Sequence, residues 1–192
     1  MTETSCAAML HPPISIIRQG SVGFPLPGSE IKIVDVQGNE VPLGSAGELC
    51  VKGPHIVQGY LNRPEESADT FVEGWLHTGD IAQLDEDGFC YILDRKKDMV
   101  LVSGFNVYPN EIEAVIAEHP DIIEVAVIGV PDVQTGEAVK AYIATRNPSL
   151  STDEILAHCK EHLTAYKVPK VIEMLPELPK STVGKILRAE LR

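Results

Sequence analysis

The 192-residue chain is predicted to be α+β, on three features. Short alternating stretches broken by glycine and proline fill the first half. A run of five charges, "DRKKD", follows Leu93, and helical and strand periodicities interleave beyond it. Such interleaving without a long βαβ series favours α+β over a doubly wound sheet.

Residues 14–93 read as β-rich. "EIKIVDVQGNEV" alternates through Ile31 and Ile33 toward Val36, breaks at Gly38-Asn39 and resumes at Val41. "GELCVKG", from Gly47 to Gly53, is a short strand closed by glycines, and "IAQLDEDGFCYIL" is a hairpin turning at Asp85-Glu86-Asp87-Gly88. The charged run Asp94–Asp98 marks a boundary or linker. Beyond it, Pro109 opens a helix as its first residue, with Glu111 near the positive end of the dipole and Ile112, Val115 and Ile116 on one face; Pro120 stops it. "EVAVIGV" and "AVKAYIATR" are strands. Ser151 and Glu154 form a capping box for a helix running to about His162. "KVIEML" is a further strand, and "GKILRAELR" reads as a final helix.

The net charge of −12 disfavours nucleic acid and docking on anionic lipid by charge alone. The apolar stretch Ile122–Val130 is interrupted by Glu124 and falls short of the ~20 residues a spanning helix needs. Four scattered cysteines, Cys6, Cys50, Cys90 and Cys159, form no CxxC pair and suit a reducing compartment, so a cytoplasmic location is expected. The opening "MTETS" has none of the features of a signal peptide.

Three motifs tempt and fail. "HCKEH" (His158–His162) matches an inverted zinc-protease pattern, but no third ligand is nominated. "STVGK" lacks the Walker A framework, having Pro179 and Ile186 where glycine and Ser/Thr are needed. "DEDG" at Asp85 begins like a calcium loop, but its glycine comes two residues early, so a β-turn explains it better.

Taken in order, four blocks resemble one family over the whole chain. They are "MTETS", "GELCVKGPHIVQGYLNRPEES", "GWLHTGDIAQLDEDGFCYILDRKKDMVLVSGFNVYPNEIE" and "PKSTVGKILRAEL". The family is that of the adenylate-forming enzymes, which includes acyl-CoA synthetases, luciferases and peptide-synthetase adenylation domains. The third block resembles the bacterial long-chain fatty acid–CoA ligases in particular. The resemblance implies residues 1–93 as the β-rich, barrel-like end of a large N-terminal domain, 94–97 as a hinge and 98–192 as a small mobile α+β domain. It also implies that a larger N-terminal part, with the phosphate loop and acyl pocket, belongs with this chain in cis, and that the chain alone does not turn over.

The implied reaction joins a fatty acid to CoA through acyl-AMP, with ATP and Mg2+. Lys185 would contact the acyl carboxylate and the α-phosphate during adenylation, where a flexible ammonium suits charge developing between two anions. Asp80 and Arg95 would contact the ribose, Thr2 the phosphate or acyl carboxylate, and Glu3 would ligate magnesium. Thr2 and Glu3 sit at a terminus expected to fray. Lys97 would be the pivot between two poses, one presenting Lys185, the other the "SGFN" loop whose Ser103 and Gly104 would border CoA. Two alternatives stay open: a non-catalytic module that kept the fold, and an adenylating enzyme with another acyl substrate or acceptor. Peripheral membrane contact of a fatty acid ligase, at the inner membrane face, is equally open, since no basic amphipathic helix supports it.

Overall fold

Turn residues and short apolar alternations dominate the chain up to Lys97, and its elements are correspondingly brief. The computed structural model describes residues 1–12 and 17–192; the start of the predicted β-rich stretch, 14–16, lies outside the described residues. The chain divides into two units, Met1–Lys97 and Asp98–Arg192.

In the first unit, Met9–Leu10 (β1) and Phe24–Pro25 (β2) form an antiparallel ribbon. Glu30–Val34 (β3) and Gly47–Lys52 (β4) pair antiparallel. Pro64–Thr70 (α1) leads into Phe71–Val72 (β5), Trp75–Leu84 (β6) and Cys90–Arg95 (β7). The sheet runs β3-β4-β6, and the ten residues of β6 are long enough to pair with both β5 and β7 as well. Ile33, Leu49, Val51, Ala82 and Cys90 form the core.

Three local features differ from what the sequence suggests. Alternation does not reach Val36, which is exposed: the Asp35 carboxylate accepts from the N–H groups of Gln37 and Asn39 at 2.9 Å each and folds the chain into a turn. Helix α1 was not anticipated, because none of its seven residues is buried and no apolar period betrays it. The "DRKKD" run is not a wholly solvated linker, since Asp94 and Asp98 are buried while the three cations between them are exposed.

In the second unit, Val100–Val102 (β8) and Phe105–Val107 (β9) make a hairpin. Helix Pro109–Ala117 (α2) follows, with Pro109 at its first turn as the sequence predicts. Ile122–Asp132 (β10) and Gly136–Thr145 (β11) are long antiparallel partners, Thr152–His162 is α3, and Val171–Met174 (β12) adds parallel to β11. Strand order is β10-β11-β8-β9, with β12 on β11. Both faces of this sheet are covered, which explains the near-continuous apolar run in β10. Val125, Val127, Val139, Ala141 and Ile143 face the apolar stripes of α2 and α3, including Ile112, Ile116, Ile155 and Cys159. Ala126, Ile128 and Tyr142 on the other face pack with Leu178, Ile186 and Leu191.

The predicted final helix is replaced by a hairpin and a single 3₁₀ turn at Arg188–Leu191. Ile186 bridges antiparallel to Lys180, and Leu187 N–H donates to Pro179 O at 2.8 Å. Gly184 turns the chain at φ 79°, a conformation that ends a helix. The apolar face of the sheet draws in Ile186 and Leu191, so tertiary packing overrides the helical periodicity.

The capping box is complete: the Ser151 hydroxyl accepts from Glu154 N–H at 3.2 Å, and the Glu154 carboxylate accepts from Ser151 N–H at 2.9 Å. Ser151→Ala should therefore lower unfolding free energy by about 1 kcal/mol in urea titrations. An unchanged midpoint would show that packing of Ile155 alone fixes the start of α3.

Candidate active site

Strand register builds the first half of the site. Pairing of β6 with β7 sets Asp80 opposite Arg95, and their side chains form an ion pair, Nε to Oδ1, at 3.0 Å. Beside this pair lies a cavity of ≈ 520 Å³ lined by Thr2, Glu3, Tyr60, His77, Gly79 and Arg95, among others. Asp80 stands behind Arg95, with its side chain 15% exposed. Burial pushes the Asp80 carboxyl above its ordinary pKa, and Arg95 offsets only part of that.

The expected fraying of the opening residues does not occur. Thr2–Thr4 form a 3₁₀ turn in which Thr4 is buried, and its hydroxyl donates to Cys6 O at 2.6 Å. Glu3 O accepts from Val57 N–H at 2.9 Å, and Tyr60 donates to Glu3 Oε1 at 2.8 Å. A hydrogen bond from the local backbone and the one from Tyr60 hold the Glu3 carboxyl below its ordinary pKa, leaving an anionic hard-oxygen donor in the cavity. That donor fits a magnesium ion, which binds through one or two carboxylates plus substrate phosphates. Among the described residues, no three His, Cys, Asp or Glu side chains gather into a site that could hold a metal unaided.

Glu48, on β4, ties the strands of this site together. Its side chain is 10% exposed; Oε1 accepts from Gly79 N–H at 3.1 Å, and Oε2 accepts from Lys96 Nζ at 2.9 Å and lies 3.2 Å from His77 Nδ1. Burial alone would raise its pKa, but the bonds from Lys96 and His77 outweigh burial and lower it. Lys96 N–H also donates to Gly79 O at 2.8 Å. Thr78 completes the frame, its hydroxyl donating to Leu49 O at 2.8 Å and accepting from Asp80 N–H at 3.1 Å. The residues before and after Gly79, and the residue after Arg95, are thus fixed from β4.

Lys185, Ser103 and Gly104 belong to the second unit, and Lys97 is the last residue of the first. Lys185 is exposed and flanks the turn of its hairpin, where its N–H donates to Ser181 Oγ at 3.2 Å and its carbonyl accepts from Ser181 N–H at 2.8 Å. Its ammonium has no ion-pair partner among the described residues. Ser103 and Gly104 form the two-residue turn of the β8–β9 hairpin, with φ of 50° and 86°, the geometry that suits strand twist. Ser103 borders a second cavity of ≈ 610 Å³ with apolar walls at Val102, Val139 and Tyr166 and two lysines, Lys160 and Lys170, at its lining. Phe105 stacks on Tyr166 at 4.7 Å between ring centres.

Sequence reasoning missed Glu48, Tyr60, Tyr166 and the lysines of the second cavity. Glu48 had a signal: a charge inside the apolar strand Gly47–Lys52. The others are ordinary surface types until the fold gathers them. The rejected motifs are structural. His158 Nε2 contacts the carbonyl of Val115 at 2.8 Å, Asp85 organises a turn by accepting from Phe89 N–H at 2.8 Å, and Gly184 serves the hairpin. All four cysteines are free, three of them buried; burial lifts the Cys50 and Cys90 thiols to about 11.

Buried Glu48 and half-buried Asp80 should affect stability with opposite sign. The lowered pKa of Glu48 gives stability that is present above the ordinary carboxyl pKa and lost as pH falls through the folded value. The raised pKa of Asp80 gives stability that is present below its ordinary value and lost as pH rises through the folded one. At pH 7, Glu48→Gln should cost about 1–3 kcal/mol. Asp80→Asn should raise the melting temperature at pH 7, and that gain should vanish near pH 3. Melting curves across pH 3–8 decide; parallel pH dependence for both variants would refute the assignment.

Comparison with known proteins agrees with this geometry. Residues 1–61 match the AMP-binding enzyme family and residues 111–185 the AMP-binding enzyme C-terminal domain. The long-chain-fatty-acid–CoA ligase of Salmonella typhimurium is 54% identical over all 192 residues, which span 34% of that protein. The chain thus spans about a third of the length of such relatives. A crystal structure of ATP-bound MatB from Rhodopseudomonas palustris superposes with a TM-score of 0.93 at 37% identity, covering 100% of this chain and 39% of that one. A Bacillus subtilis O-succinylbenzoate coenzyme A synthetase (MenE), solved with ATP and magnesium ion, gives 0.89 at 39% identity, covering 100% and 40%. No helix among the described residues is long and apolar enough to cross a membrane. The chain belongs to the AMP-binding enzymes, as the C-terminal part of a homologue of the long-chain-fatty-acid–CoA ligases.

Proposed function

We propose that this chain works within an AMP-forming long-chain fatty acid–CoA ligase, converting ATP, a fatty acid and CoA to acyl-CoA, AMP and pyrophosphate through acyl-AMP. The observation that carries this reading is the cross-strand pair Asp80–Arg95 beside a cavity that Thr2 and Glu3 also line. Asp80 accepts from the ribose hydroxyls, and Arg95, half exposed, donates to the nucleotide from the same side. Thr2 donates its hydroxyl to the phosphate or the acyl carboxylate, and Glu3 with its lowered pKa holds magnesium. The ion supplies charge neutralisation across the triphosphate. Lys185, on its exposed hairpin, brings a mobile ammonium to the α-phosphate and the attacking carboxylate as they are forced together.

Lys97 serves as the pivot between the two units, so that Lys185 and the Ser103–Gly104 turn serve successive steps. The second cavity suits CoA: apolar walls for the pantetheine arm, Lys160 and Lys170 for phosphates. A domain in cis with the acyl pocket completes the enzyme. The free thiols and the net charge of −12 suit the cytoplasm, with the lipid substrate drawn from the inner membrane face. The fatty acid specificity rests on 54% identity to the Salmonella ligase.

The test uses the full-length enzyme containing this chain, with ATP, magnesium, oleate and CoA. Lys185→Ala should cut pyrophosphate release by about 10²–10³-fold while transfer from supplied oleoyl-AMP to CoA survives. The 192-residue chain alone should show no turnover. Wild-type pyrophosphate release by the variant would overturn the assignment of Lys185.

A further inference from the structure

Lys185 makes no ion pair among the described residues, so its placement depends on what holds its hairpin. The hairpin sits on the sheet through Ile186, and the chain then turns through Arg188–Leu191. Three residues after Lys185, Arg188 is gripped from two sides. Its Nη2 and Nε reach Glu113 Oε2 and Oε1 at 2.6 and 3.1 Å, and Nη2 donates to Asn110 Oδ1 at 2.9 Å, both partners on α2. On the other side its Nη1 lies 3.9 Å from Asp98 Oδ2. Arg192, four residues on, donates to Asp98 Oδ1 at 2.6 Å. One carboxylate, with its side chain 10% exposed, thus receives two guanidinium groups from the segment that follows the lysine. Between them, Leu191 O accepts from Tyr142 Oη at 2.8 Å.

We propose that Asp98 is a positioning residue for Lys185, holding the Lys185 hairpin through Arg188 and Arg192. This rests on the reading of Lys185 as the adenylation lysine. Three chain steps separate Lys185 from Arg188, so their Cα atoms lie within about 11 Å of each other and a shift of Arg188 carries the lysine with it. Asp98 is also the first residue of the second unit, directly after Lys97. The carboxylate therefore links the placement of the lysine to the residue next to the pivot. A charge–charge contact of 3.9 Å at low exposure keeps its force where a solvated pair would not. The bonds from Arg188 to Glu113 and Asn110 keep the segment attached to α2 when Asp98 is neutralised, while the loss of the Asp98 contacts lets Arg188 and Arg192 shift, so the expected effect is misplacement rather than unfolding.

The experiment uses the full-length enzyme with Asp98→Asn, Lys185→Ala and the double variant. Three quantities are measured: acyl-AMP formation by pyrophosphate exchange, acyl transfer from supplied oleoyl-AMP to CoA, and melting temperature. Asp98→Asn should slow acyl-AMP formation about 10–100-fold in kcat, with the KM for ATP and the transfer rate within about twofold of wild type. In the double variant, the Asp98 change should add nothing to the loss caused by Lys185→Ala, because the two act as one unit. Equal losses in both half-reactions, or losses that add in the double variant, would overturn the proposal and assign Asp98 to folding or to the pivot. Normal adenylation in Asp98→Asn alongside a dead Lys185→Ala defeats this proposal only. Normal adenylation in Lys185→Ala removes the reading of Lys185, and the proposal with it.

Discussion

Strand β6 is paired on both edges, and the candidate nucleotide site follows from that. With β4 on one side and β7 on the other, Asp80 must face Arg95, and Gly79 must lie within reach of Glu48. A one-residue slip of β7 would send Arg95 to the opposite face and empty the site of its cation. The buried Glu48 carboxylate resists such a slip, because it binds Gly79 on β6 and Lys96 just beyond β7 at once. The pairing of β6 with β7 is thereby pinned by a buried charge as well as by backbone hydrogen bonds and the Asp80–Arg95 ion pair.

In the second unit the equivalent constraint is the two-faced sheet. Long strands β10 and β11 bury Val125, Val127 and Ile143 under the helices and Ala126, Ile128 and Tyr142 under the terminal segment. Strand β10 is an edge strand, and Glu113 covers part of that edge by accepting from Val127 N–H at 2.8 Å while also holding Arg188. The lysine hairpin is therefore packed onto the unit as its outer layer, with Lys185 left in solvent. An exposed ammonium on a backbone held by the partly buried Ile186 and Leu191 combines reach with preorganisation.

Where local chemistry decided the structure, the sequence was legible. The Ser151–Glu154 capping box, Pro109 at a helix start and the Asp85–Gly88 hairpin all need only neighbouring residues, and the strand at Gly47–Lys52 announces itself by its glycines. Where distant residues decided it, the sequence misled. Ile186 and Leu191 lie in a stretch that reads as a helix, yet the sheet face claims them in a hairpin and a 3₁₀ turn. Asp94 and Asp98 belong to a charge run that looks solvated, yet both are buried. The four sequence blocks marked the family, but the cavity-lining Tyr60, and the bridging role of Glu48, emerge only when residues far apart in the chain are brought together.

Charge placement separates function from stability in this chain. Its net charge of −12 opposes anionic ligands, so the proposed binding of a triphosphate would depend on local cations set against the global field. The candidates are Arg95 at the end of β7 with Lys97 just beyond it, and Lys160 and Lys170 at the second cavity. Asp80 is the exception among these cations, a carboxylate whose raised pKa means that folding keeps it charged at a cost. Under the proposed function that cost has a use, because an ionised acceptor bonds sugar hydroxyls more strongly than a neutral one. Glu48, whose lowered pKa stabilises the same strands, acts in the opposite sense from the neighbouring strand β4. Two carboxylates beside Gly79 thus act on the sheet with opposite sign, Glu48 through the bonds it accepts and Asp80 through its burial.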